Sequence, residues 1–365
     1  MKRLSTRLLL LPALLLLASC NNNPPAPPAP TSDTKAPATS ETPPANGPKL
    51  KIGFVLHGLN DFTQVIKKGA EDAGKALGVE VEVTGPATFV ATDAIAMFEG
   101  MVQKKKDGLI VVPMPGDVWV KPIKEATDAG IPVETANMIS DGSTAATWFG
   151  QDEYQSGVIL ATELKKQLEA EGKKSGKIVC GICAPSVGVL QDRYKGLKKG
   201  LEGSGFTVTQ ANDVTAENTT NYSAWENLAS ANAGMVAVAG LCSMDIPNLA
   251  KLKSRTSGKW LIGGYDLNKE TLDSLKSGIS QVTLGQHPYL QGYLPVLALV
   301  QHLRDKKPLP KGWVDVGTEI VTKANVDSLF LRETDVAAGT KWYADHIAKN
   351  FADMATTAKP LPPKR

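Results

Sequence analysis

LIVVPMPGDVWVKPIKEATDAGIPV, residues 109–133, decides the fold. Leu109–Val112 is a continuous apolar run of strand length, as expected of a strand buried on both faces. Trp119–Ala129 reads as a helix, and Gly130-Ile131-Pro132-Val133 opens the next strand. A strand, a helix and another apolar strand in that order describe a parallel crossover unit.

The alternation continues outward in both directions. Upstream, the apolar run Ile52–Leu56 precedes a helix over Phe62–Leu77, and the alternating Val79–Val83 precedes a helix over Thr92–Lys105. That second helix keeps Ile95, Phe98, Met101 and Val102 on one face. After Trp148-Phe149-Gly150 the pattern restarts. Helices at Gln155–Glu171, Leu190–Leu201, Tyr222–Ala231 and Pro247–Lys253 precede strands at Lys177–Ile182, Thr207–Thr209, Met235–Leu241 and Trp260–Tyr265. The expected fold class is α/β: two doubly wound, Rossmann-like parallel-sheet domains in tandem.

The N-terminus sets the compartment. Lys2, Arg3 and Arg7 precede an apolar run from Leu8 to Leu17, and small residues then lead into Cys20. This is the layout of a secretory signal, too short to span a bilayer. The cysteine at the cleavage point is similar to the lipobox of bacterial lipoproteins, which implies a signal peptide over 1–19 and lipidation of Cys20. Residues 21–48 hold nine prolines and nothing aliphatic larger than Ala, so a disordered tether is expected there. At about 3.1 Å per residue its reach is on the order of 90 Å.

The formal charge of +3 belongs entirely to the signal; without it, 37 basic residues face 37 acidic ones. No basic stripe with interleaved aromatics is present, so nucleic acid is not an expected partner. Some 315 residues after the tether suit two cores rather than one. No nucleophile elbow, Walker loop or dinucleotide fingerprint occurs, so no enzyme activity and no cofactor are expected. Four histidines form no ligand motif, and no metal is expected. Cys180 and Cys183 have redox or metal spacing, but Cys180 sits inside an apolar strand, where small buried thiols are ordinary.

In doubly wound sheets, ligands bind outside the carboxyl ends of the strands. The loops there carry Asn60, Asp61, Phe62, Asn137, Gln191, Arg193, Asp266 and Gln286, which are the candidate ligand-binding residues. Amides and carboxylates exchange paired hydrogen bonds with hydroxyls, and aromatic rings stack on apolar ring faces. A small, neutral, hydroxylated ligand in a cleft between two domains fits this mixture. Asn60 and Asp266 also have plain alternatives as cap or turn residues.

At these residues the chain resembles the type I periplasmic binding proteins of ABC importers, in the ribose/simple-sugar branch. The likeness runs from about Lys51 to Val321. It rests on Leu59-Asn60-Asp61-Phe62, Ala129-Gly130-Ile131-Pro132-Val133, Gly264-Tyr265-Asp266 and Gly285-Gln286 with its following helix Tyr289–Leu303. Asn60, Phe62, Asp266 and Gln286 fall on positions that hold the family's ligand. Departures are Asn137-Met138 for an Asp-Arg pair, Gln191 for an arginine with Arg193 two residues on, and Cys242 or Ser243 for an asparagine. Another lies near Ala216, where a phenylalanine is expected, with Trp119 and Trp225 as other sources of a ring. These move the ligand away from ribose itself. Leu77-Gly78-Val79 with Gly85-Pro86 also resembles the rhamnose/autoinducer-2 subgroup, whose autoinducer receptors carry aspartates where Asn137 and about Leu190 stand here.

The resemblance implies three hinge crossings, near Trp148–Gln151, Gly285–Pro288 and Asp315–Ile320. It implies an N-terminal lobe over 49–149 plus 287–317, a C-terminal lobe over 150–286 plus 318–355, a last helix at Trp342–Met354 and a disordered tail over 356–365. Cys183 and Cys242 then end neighbouring strands, and a disulfide between them is expected. The expected role is a lipid-anchored, monomeric substrate-binding component of an importer, held outside the cytoplasm by Cys20. Its ligand would be a sugar, deoxysugar or polyol and its protein partner an ABC permease. The alternative is a receptor ectodomain presenting its ligand to a chemoreceptor or kinase.

Overall fold

The computed structural model describes residues 49–363. The signal peptide expected over 1–19, the expected lipidation at Cys20 and the tether expected up to residue 48 lie outside the described residues.

Two twisted sheets are built with the same strand order. The first runs, edge to edge, Gly312–Asp315, Thr147–Gly150, Val133–Ala136, Gly108–Val111, Lys51–Val55 and Glu80–Thr84, all parallel. The second runs Glu319–Thr322, Val282–Gly285, Leu261–Tyr265, Ala237–Gly240, Gly176–Ile182 and Phe206–Thr207. Ala211–Asp213 also pairs with Gly176–Ile182. Only Glu319–Thr322, at an edge, is antiparallel among these described strands. Gly108–Val111, Val133–Ala136 and Leu261–Tyr265 are buried along their whole length, because helices cover both sheet faces. Glu80–Thr84 alternates charge with valine, as an edge strand can.

In each sheet the first strand lies inside its own second strand, so the winding direction reverses beside it. The reversals lie between Lys51–Val55 and Gly108–Val111, and between Gly176–Ile182 and Ala237–Gly240. Crevices form at such points, outside the strands' carboxyl ends. The disulfide Cys183–Cys242 spans the second reversal point, and Cys180 is a buried free thiol within the adjoining strand.

One close helix crossing supports each lobe. Asp61–Leu77 crosses Pro288–Asp305 at Gly69 and Gly292, where an added Cβ would strike the carbonyl oxygens of Tyr289 and Ile66. Glu153–Ala170 crosses Gly188–Leu201 at Gly157 and Gly196, against the carbonyls of Arg193 and Tyr154. Only glycine lets the backbones approach this closely.

The chain crosses between sheets at Gln151–Asp152, Gln286–His287 and Val316–Thr318. Thr318 Oγ1 donates to Gln151 Oε1 at 2.6 Å, and the Trp313 indole donates to the Gly150 carbonyl at 2.8 Å, so two crossings are tied together.

The C-terminal expectations need correction. Residues 318–355 do not all join the second lobe. Val326–Thr334 packs there, with Val326 and Leu329 against Leu272 and Leu275. Val336–Asn350 instead packs Tyr343 and Ile347 on Phe149, Leu294 and Val314 of the first lobe, because its apolar face matches the uncovered flank of Pro288–Asp305. The last helices are Val336–Asn350 and Met354–Thr357, not Trp342–Met354. The expected loose tail from 356 is ordered as far as it is described around Lys359, whose backbone pairs with Trp313 in both directions at 2.8 and 2.7 Å. Two helices, Lys269–Lys276 and Val326–Thr334, and the strand Ala211–Asp213 were not anticipated.

Candidate functional site

A cavity of about 110 Å³ lies between the carboxyl ends of the two sheets. Its first-lobe wall includes His57, Asn60, Phe62 and Asn137; its second-lobe wall includes Arg193, Cys242, Asp266 and Gln286. A larger opening of about 450 Å³ shares Asn60, Phe62, Asp266 and Gln286 and leads outward past Asp61 and His287.

Arg193 organises the second-lobe side. Its guanidinium makes a two-pronged pair with Glu153 at 2.6 and 2.9 Å and donates to the Leu241 carbonyl at 2.8 Å. It also donates to Gln286 Oε1 at 3.2 Å and lies 4.1 Å over the Tyr265 ring. Ser156 and the Tyr265 hydroxyl are 2.9 Å apart, and Gln151 donates to Glu153 at 3.1 Å. Desolvation would favour a neutral Arg193, but Glu153 beside it holds the proton on.

Gln286 sits at a hinge crossing and joins the lobes. Its Oε1 accepts from Asn137 Nδ2 of the first lobe at 3.4 Å, and its Nε2 donates to Asp266 Oδ1 at 2.7 Å. Its own backbone carbonyl accepts from Gln291 Nε2 at 2.6 Å. Burial pushes the Asp266 carboxyl up to about 6, against the pull of nearby Arg193 and the Gln286 bond.

Three neighbouring residues hold left-handed backbone: Asn137 at φ 61°, Asp266 at φ 73° and His287 at φ 49°. Such conformations cost on the order of 1 kcal/mol or more each and need support from their surroundings. Asn137 has it from Phe149 and Trp148, which bond to its N–H and carbonyl. Asp266 has it from the Leu284 carbonyl and Thr283. The turns aim both side chains at the cavity.

Residues 52–307 match the family model for a periplasmic binding protein domain. The chain belongs to the periplasmic binding protein family. Its fold is the type I arrangement, with two parallel-dominated α/β lobes. The binding protein is 24% identical over 300 residues to the xylose/arabinose-binding protein XylF of Sulfolobus acidocaldarius, covering 78% of this chain and 74% of that protein. It is 25% identical over 265 residues to the ribose import binding protein RbsB of Bacillus subtilis, covering 72% and 84%. A solute binding protein from Burkholderia graminis, solved in complex with D-arabinose, superposes with a TM-score of 0.72 at 24% identity, over 76% of this chain and 97% of the other. That last likeness shows the fold.

Within the binding protein, Asn60, Phe62, Asn137, Arg193, Asp266 and Gln286 come together around the cavity. Two expected residues do not. Gln191 turns its amide to the Pro185 carbonyl at 2.7 Å and is absent from the lining, because the helix that buries Arg193 carries residue 191 outward. Asp61 is exposed and touches only the outer opening. Asn60 is the cap residue its alternative reading named, with Oδ1 accepting from Thr63 N at 2.9 Å, and it also lines the cavity. Trp119 and Trp225 are core residues, the latter donating to Asp245 at 2.9 Å.

Sequence reasoning missed His57, Phe89, Met114 and Glu153 in the lining. The His57 ring stacks on Phe89 at 5.2 Å, and burial lowers its pKa to about 4, so it is neutral near pH 7. Its Nδ1 is buried without a hydrogen-bond partner among the described residues. The position of His57, in the loop just past the first strand, was the signal that could have found it.

Proposed function

We propose that this protein is the substrate-binding lipoprotein of an ABC importer, taking a small, neutral, hydroxylated ligand in the cleft between its lobes. The observation that carries the reading is the Asn137–Gln286–Asp266 chain of hydrogen bonds, which joins side chains of both lobes at a hinge crossing beside a cavity. Xylose, arabinose and ribose in the relatives' names support a sugar, deoxysugar or polyol as the ligand class. Asn137 and Asn60 would meet it from the first lobe, and Asp266, Gln286 and Arg193 from the second.

A ligand touching both walls favours the closed arrangement because only there does it contact both lobes. The closed form then docks on a membrane permease. Lipidation at Cys20 and a long tether confine the protein near that permease and raise its local concentration. Binding occurs without turnover, cofactor or metal.

Calorimetry across a sugar and polyol library tests this: one-site binding without chemical change supports it, and turnover of a bound sugar overturns it. Asp266→Ala should weaken binding at least about tenfold, the cost of losing a hydrogen bond to a charged group. Unchanged affinity would remove Asp266 from the site.

A further inference from the structure

The cavity's polar groups are largely committed to one another. Arg193 uses four of its five donors on Glu153, the Leu241 carbonyl and Gln286. Gln286 is held at both ends of its amide, Asn137 donates to it, and the Asn60 oxygen is spent on its helix cap. Among the described lining residues, Asp266's second oxygen, the Asn137 oxygen, the Asn60 amide, Ser243 and His57 remain to meet a ligand, with one N–H each of Asn137, Gln286 and Arg193. Much of the other lining is apolar. Met114 and Met138 come from the first lobe, Val187 and Leu190 from the second, beside the Cys183–Cys242 disulfide. His57 interrupts that apolar surface with one buried ring nitrogen that has no partner among the described residues.

A hydroxyl turned toward Met114, Met138, Val187 and Leu190 finds no hydrogen-bonding side chain on those residues, and a buried hydroxyl without a partner is costly. A methyl or methylene against Met and Leu side chains is favourable instead. We propose that the ligand is a deoxysugar, its hydroxylated edge at Asp266, Gln286 and Asn137 and its deoxygenated edge against Met114, Met138, Val187 and Leu190. His57 reads a single hydroxyl on that second edge. The proposal rests on the functional reading above and narrows its ligand class.

Calorimetry on the intact protein with matched pairs tests it: L-fucose against L-galactose, L-rhamnose against L-mannose, D-fucose against D-galactose, and 2-deoxy-D-ribose against D-ribose. In any pair that binds, the deoxy member should bind about tenfold tighter or more. Equal or tighter binding of the hydroxylated member in every binding pair overturns the deoxysugar proposal and leaves the sugar-binding role standing. No binding of any sugar or polyol overturns both. Leu190→Asn, which sets an amide into the apolar surface, should cut the deoxy preference at least about threefold; an unchanged ratio counts against the assigned edge.

Discussion

Arg193 and Glu153 form a two-pronged ion pair at 2.6 and 2.9 Å, with each side chain only 5% exposed. The two come from helices crossing at Gly157 and Gly196, so the pair belongs to the packing of the second lobe as much as to the cavity it borders. Removing one partner strands the other charge in a dry site. Glu153→Gln should therefore destabilise the protein by about 3–5 kcal/mol and weaken ligand binding as Arg193 swings free. Arg193→Lys should behave similarly, because an ammonium cannot make the paired bonds or lie flat on Tyr265. Denaturant melts check stability; a change below about 1 kcal/mol in both variants would contradict the arrangement.

Gly292→Ala sets a methyl against the Ile66 carbonyl, and Gly196→Ala sets one against that of Tyr154. Backbone atoms cannot swing aside, so the helices must separate. Each change should cost on the order of 1–3 kcal/mol. Gly100→Ala, on an open surface with nothing near, is the control and should be neutral or slightly stabilising.

The disulfide closes the second lobe's reversal point with a sequence separation of 59 between its cysteines. Cys242→Ser should lower stability by about 2–4 kcal/mol. Because both cysteines border the cavity, affinity should also fall, and a reducing agent should reproduce both effects in the parent protein. Cys180→Ser, away from the bridge, should leave affinity unchanged.

How much of this was legible follows from where each signal lives. Strands such as Leu261–Tyr265 are buried on both sides, so their residues declare them without any partner. The short helix Lys269–Lys276 and the three-residue strand Ala211–Asp213 carry too few residues for a period to show. Arg193 and Gln191 sit two apart on one helix and so face different ways; the sequence holds no sign of which points inward. Glu153 was hidden because a carboxylate at a helix start reads as a cap, and only the fold brings Arg193 to it across 40 positions. The final helix's allegiance to the first lobe depends on Phe149 and Val314, which no local pattern in 336–350 reveals.

Glu134 is fully buried in the strand Val133–Ala136, with Oε2 unpartnered among the described residues and Oε1 3.4 Å from the Thr147 hydroxyl. Burial raises its pKa well above the usual carboxylate range. The folded protein thus holds a proton that the unfolded chain releases above about pH 4.3. Glu134's contribution is full below that pH and lost as pH rises through the folded value. Glu134→Gln keeps the shape without the proton. It should stabilise the protein at pH 8 and do little at pH 4.5, as paired denaturant curves would show.

Asp266 gives the binding reaction its own pH dependence. Its carboxyl is raised to about 6, so at pH 7–8 it is ionised and can accept a ligand hydroxyl. Below about pH 6 it takes up a proton and loses that capacity. Affinity should hold steady from pH 8 to 7 and weaken from pH 6 to 4.5. His57, lowered to about 4, stays neutral over most of that range and does not produce the trend. Asp266→Asn should bind more weakly at pH 7.5 and show a flat profile. Calorimetry at four pH values on both proteins decides it. A profile that falls equally in the Asp266→Asn variant would place the titrating group elsewhere, and a flat profile in the parent would mean the carboxylate does not touch the ligand.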